Sequence, residues 1–155
     1  MRIALLTLAT LLVALALVVI ACPAFADDVY HSEHLALAPA DDIPLRSGFV
    51  ENIHVNGPTI FAREIYVLNG ALPDTAFTVF FFVHPACGID PVAWFPTASI
   101  STNGAGNGKS QAIMSPEDVP PDAHGTTIGG HWELWMGNTA DTVAYSTPCT
   151  TIVLD

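Results

Sequence analysis

Six histidines in a chain of 155 residues raise metal binding first. His31 and His34 lie three apart, with Glu33 between them and Asp27-Asp28 just upstream. On a helical turn both imidazoles would share a face, and Zn(II) or Cu(II) accepts such ligands. The spacing names no third ligand, so a solvated polar leader explains the same residues. A blue-copper centre needs a late Cys followed closely by His and Met. Cys149 is followed by neither, and Cys87 is followed by GIDPVAWFP, so that chemistry is excluded.

Aromatic side chains offer a second kind of site. The segment 87–96, CGIDPVAWFP, places Trp94 and Phe95 between two prolines, in what reads as a loop at one end of a domain. Aromatics on rigid loops anchor partners at low entropy cost. Plugging the open end of a core is the structural use of the same residues. Trp135 shares an alternating strand face with His131 and Glu133 and is a further candidate.

Enzyme templates do not fit. There is no G-x-S-x-G elbow, no HExxH and no phosphate-cradling loop. Glu51 and Glu64, expected on neighbouring strands, can be written as a glycosidase pair, but sequence alone supplies no geometry for it. A hydrolase would require a deep pocket holding a perturbed carboxylate. The expectation is a non-enzymatic module without a cofactor, with Zn or Cu as the alternative.

The elements that must carry these residues begin with an export signal. Arg2 precedes an uncharged apolar run, Ile3 to Ala21, and Ala24-Phe25-Ala26 supplies a small-residue cleavage site. Cleavage after Ala26 leaves 129 residues, enough for one domain with a modest core. The run also reaches the lower length of a membrane span, so an uncleaved N-terminal anchor is the third alternative. Beyond residue 26 all fifteen acidic residues face only Arg46, Arg63 and Lys109, a net charge of −12. Such a surface repels nucleic acid and anionic lipid. With Cys22 removed or modified, Cys87 and Cys149 remain, and an even number of thiols in an oxidising compartment predicts a disulfide. It would close a loop of about 60 residues and contribute on the order of 4 kcal/mol.

After Gly48 the periodicity is that of strands. Phe49–Val55, 59–68, Ala76–His84, Thr97–Thr102, Lys109–Ser115, His131–Met136, Thr142–Ser146 and Cys149–Leu154 alternate or run apolar between turn residues. Ser115-Pro116-Glu117-Asp118 reads as one helical turn stopped by Pro120-Pro121. These are about seven or eight short strands, the pattern of a single antiparallel immunoglobulin-like β-sandwich. The domain is placed at residues 48–155, behind an acidic flexible leader at 27–47.

Several short stretches resemble known patterns. Val19-Ile20-Ala21-Cys22 resembles the bacterial lipobox, which implies lipidation of Cys22 and a lipoprotein signal at 1–21. Residues 72–83, LPDTAFTVFFFV, resemble the P-x-T-x-Y-x-V corner of fibronectin type III domains, with Phe77 where the corner tyrosine would stand. STNGAGNGKSQAIMS is similar to a glycine-rich hairpin of secreted bacterial sandwich domains, and 48–155 resembles uncharacterised exported bacterial proteins of that kind. The resemblance implies fold and export: a secreted or periplasmic protein, or a membrane-tethered lipoprotein. The expected partner is a protein or glycan, bound through Trp94 and Phe95.

Overall fold

The computed structural model describes residues 31–55, 59–137 and 142–154. The signal at 1–26, its 1–21 lipoprotein form, Cys22 and the anchor alternative lie outside these residues. Among the described residues no helix is long and apolar enough to cross a membrane.

Ten strands form among the described residues: β1 (His31–Ala36), β2 (Ala38–Pro39), β3 (Ser47–His54), β4 (Ala62–Asn69), β5 (Ala76–His84), β6 (Ala93–Ser101), β7 (Gly108–Met114), β8 (Thr126–Met136), β9 (Val143–Ser146) and β10 (Thr150–Leu154). One sheet has the order β1-β3-β4-β7, and the other β2-β9-β8-β5-β6 with β10 also on β8. All pairs are antiparallel. Strands β4 and β7 pair in one sheet while β5 and β8 pair in the other. That interleaving of chain order is the pairing scheme of immunoglobulin-like sandwiches.

Period-2 alternation decides which side chains meet between the sheets. In β4 every second residue is buried, so Ala62, Glu64, Tyr66 and Leu68 point inward. Tyr66 and Leu68 meet Phe77, Val79 and Phe81 of β5 and Trp132 and Leu134 of β8 in one core with Val50, Ala144 and Tyr145, while Ala62 packs in a smaller cluster with Phe61 and Val119. Each large side chain removed from water this way contributes about 1.5–3 kcal/mol.

The segment expected to be a leader is built into the sandwich from His31 onward. HSEHLA alternates part-buried and exposed residues, which suits a strand, and β1 pairs with β3 along its whole length. At buried Leu37 the chain crosses to the other sheet, where β2 pairs with β9. Two prolines, Pro39 and Pro44, argue against a helix here; Pro39 is tolerated in the edge strand β2, and Pro44 lies in the connection to β3. The NGAGNG stretch is likewise not a hairpin, because β6 and β7 belong to different sheets. Glycine is required there for another reason. Gly106 has φ +72°, and a Cβ on it would lie 2.1 Å from the carbonyl oxygen of Ala71.

Strand β8 begins five residues before the expected His131, running through Thr126-Thr127-Ile128-Gly129-Gly130. A Cβ on Gly130 would lie 2.6 Å from the Phe81 ring, and one on Gly129 would lie 2.7 Å from the backbone nitrogen of Cys87. The Gly-Gly pair therefore marks close packing within a strand rather than a turn. Beside it, Cys87 and Cys149 are joined as a disulfide, with Cα atoms 5.7 Å apart.

The corner around Leu72 is tied by a tyrosine from elsewhere in the chain. Phe77 lacks the hydroxyl, but its ring packs 5.4 Å from that of Tyr145. Tyr145 accepts a hydrogen bond from the Leu72 N–H and donates one to the Pro44 carbonyl.

Candidate functional site

Strand β6 does not form the expected loop around Trp94 and Phe95. Both residues lie in β6, paired with Phe82 and Phe81 of β5. Pro96 is accommodated because β6 is an edge strand and needs no ladder donor on its outer side. A register shift between Val79 and Phe80 takes up Thr97. Strand alternation then sends Trp94 and Phe95 to opposite faces of the sheet, so the two form parts of different sites.

Trp94 stands on the outer face. It stays 53% exposed while its ring packs against Phe80 at 5.6 Å, Trp135 at 6.2 Å and Phe82 at 6.3 Å. Phe80 and Trp135 are 4.7 Å apart, and His131 stacks on Phe82 at 4.8 Å. Three adjacent strands thus build a shallow aromatic platform, continued by exposed Ile89 and Val92. The expected face of His131, Glu133 and Trp135 is part of it.

A polar relay borders the platform. His84 donates through Nδ1 to the Ile89 carbonyl at 2.6 Å, and its Nε2 meets Nδ1 of His131 at 2.7 Å. His131 Nε2 lies 3.2 Å from Glu133, whose other oxygen accepts the Trp135 indole N–H at 2.7 Å. Burial pushes the Glu133 carboxyl up, but the His131 and Trp135 contacts together pull it below the ordinary carboxylate range.

Phe95 faces a cleft between the two sheet edges. Its lining is Phe95, Pro96 and Thr97 from β6, Ala112, Ile113 and Met114 from β7, Glu64 at the floor and Asp118 at the mouth, around a volume of about 370 Å³. Glu64 is 5% exposed. Desolvation raises its carboxyl above the ordinary range, only partly offset by the hydrogen bond from Tyr66 and the nearby Trp132 and Thr97 side chains. The Tyr66 hydroxyl donates to Glu64 and meets the Thr97 hydroxyl at 2.6 Å, and burial pushes the Tyr66 phenol up as well. Asp118 sits in a short 3-10 turn, Pro116–Asp118, where the Ser115 N–H and hydroxyl donate to its carboxylate and hold it below its usual range.

Placement on a strand separates His31 from His34. The helical turn that would have aimed both imidazoles one way is absent, and positions three apart on a strand face opposite sides. His34 is held by Glu51 at 2.5 Å and lies against Phe49, while His31 sits in register with His54. Glu51 and Glu64 are also divided, because Glu51 turns outward on β3 to meet Ser32 and His34. Among the described residues no group of three or more His, Cys, Asp or Glu is placed to hold a metal.

Compared with family models, curated proteins and solved structures, the chain matches none. Its functional reading rests on these two sites alone.

Proposed function

We propose that the protein is an exported, non-enzymatic binding module that engages a neutral glycan through the aromatic platform. The half-exposed Trp94 ring, supported from beneath by Phe80, Phe82 and Trp135, carries the reading. A pyranose ring presents a face of C–H bonds that suits the negative face of an indole. The rings of Phe82 and Trp94 are inclined by only 30°, which favours a flat ligand over an inserted side chain. Glu133 and His131 on the same face offer polar partners for sugar hydroxyls. The acidic chain repels polyanionic glycans, which narrows the class to uncharged ones.

The test is retention on a panel of insoluble and gel-embedded neutral polysaccharides, comparing the wild type with Trp94→Ala. Retention should weaken by at least about tenfold in the variant, as for a central aromatic anchor. Its melting temperature should stay within a few degrees, since half the ring is already in water. Equal retention of the two proteins, or no retention of either, sinks the glycan reading; the second result would turn attention to a protein partner.

A further inference from the structure

We infer that the cleft between β6 and β7 is a second binding site, for a small amine with an apolar body and one ammonium group. The volume of about 370 Å³ falls in the range of small-molecule sites. Its walls are apolar: Phe95 and Pro96 on one side, Ala112, Ile113 and Met114 on the other. Phe95 and Ile113 remain 37% and 53% exposed, so the lips of the cleft are hydrophobic and open. Polar character is confined to the floor and the mouth, and at both ends it ends in a carboxyl group.

Charge selects the ligand. Two carboxyls and no basic side chain line the cleft. Around Glu64, β4 contributes Tyr66, which donates to it, β6 contributes Thr97, whose hydroxyl meets that of Tyr66, and β8 contributes the nearby Trp132; all three are neutral. Behind it, Asn52 and His54 of β3 share a smaller hollow with Glu64. The Asn52 amide donates to Glu33 and meets His54 Nε2 at 2.8 Å. The floor is thus a carboxyl supplied with donors but with no counter-charge, and it stays protonated because water is excluded. An ammonium group brought in on an apolar arm supplies the missing charge and lets Glu64 ionise. Asp118, fully exposed and ionised at the mouth, favours the approach of a cation.

This couples binding to proton release, a signature that an indifferent apolar gap does not give. The experiment is titration calorimetry of the protein with benzylamine and with its uncharged near-isostere benzyl alcohol. Both are run at neutral pH in two buffers of different ionisation enthalpy. The amine should bind about tenfold or more tightly than the alcohol, as a charge-assisted contact requires, and should release protons. Glu64→Gln should bring amine binding down to the level of the alcohol and abolish the release. Because that variant alters a buried network, Ile113→Arg provides the second arm. It places a second cation on an exposed lip, opposite Arg63 in the β4–β7 ladder, and should block the amine while lowering the melting temperature by no more than a few degrees. Equal affinity for alcohol and amine, binding without proton release, absence of binding by the wild type, or full amine binding by Ile113→Arg would each overturn the inference.

Discussion

Two glutamates, one on each side of the second sheet, show how this sandwich treats charge. Glu133 on the outer face and Glu64 in the interior each lie near an indole, that of Trp135 outside and that of Trp132 inside. Desolvation raises both carboxyls, yet Glu133 ends below its ordinary range and Glu64 above it. The difference is chiefly depth: the Glu133 side chain keeps 20% of its surface in water, so the hydrogen bonds from His131 and Trp135, aided by the His131 charge, outweigh its desolvation, whereas Glu64 is almost wholly enclosed. The same kind of contact that suffices for a half-buried carboxyl falls short for one cut off from water. The platform is therefore electrostatically complete without a ligand, and the cleft is not.

The largest expected effect comes from loosening the end of the sheet that holds the platform. Cys87 follows β5, and the bridge to Cys149 encloses 62 residues of sequence separation. Replacing both cysteines by serine should cost on the order of 4 kcal/mol on the chain-entropy account. For a domain of this size that lowers the melting temperature by about 15 °C, measured by circular dichroism. The loop after Cys87 also carries the Ile89 carbonyl that fixes His84. Glycan retention should therefore fall before amine binding as reductant is added. A melting curve that reduction leaves unmoved would mean that the bridge restrains nothing the folded state needs.

The same contrast explains what could be read from the chain. Strand β5 begins and ends where its aromatic and β-branched run does, and the shared face of His131, Glu133 and Trp135 follows from period 2 alone. Both are local properties. The cysteine pairing followed from counting. The pairing of Trp94 with β5 did not, because Pro91 and Pro96 carry the same local signal in a loop as in an edge strand. Only the position of β6 at the sheet edge separates the two. The cleft was further out of reach, since β4, β6, β7 and the turn at Asp118 each contribute to it from distant parts of the sequence. Glu64 had one visible sign: it is an acid at an apolar position of an alternating strand, between Ala62 and Tyr66. His31 and His34 misled for the converse reason, because an i, i+3 spacing means one thing on a helix and the opposite on a strand.

Removing the interior carboxyl sharpens the comparison by its pH dependence. Glu64 keeps in the folded state a proton that it gives up on unfolding. Its contribution therefore weakens stability as pH rises from the ordinary carboxylate range towards its own raised value. Glu64→Gln should remove this slope and leave the variant more stable than wild type at pH 8, by on the order of 1–2 kcal/mol. Near pH 4 the two should converge. Glu33, which burial also raises, keeps a residual slope of the same sign in the variant. Urea midpoints at pH 4, 6 and 8 decide it, and parallel curves for the two proteins would mean that Glu64 is ionised in the fold.

The outer carboxyl should behave in the opposite sense and more weakly. Glu133 is held below its ordinary range, so it adds stability above the unfolded carboxylate range and loses it as pH falls through its folded value. With its side chain partly in water, the loss should stay under about 1 kcal/mol between pH 6 and pH 3. Glu133→Gln should flatten that part of the acid limb. The relay beside it explains why the effect reaches the platform. The contacts run from the Ile89 carbonyl through His84 and His131 to Glu133 and on to the Trp135 indole. In Glu133→Gln a single amide oxygen replaces the two carboxylate oxygens that serve His131 and Trp135, so one of those two contacts must change. Tryptophan fluorescence of the wild type should then change between pH 6 and pH 3 as Glu133 takes up its proton, and that of Glu133→Gln should change less. An equal change in both proteins would place the titrating group elsewhere and remove Glu133 from the account of the outer face.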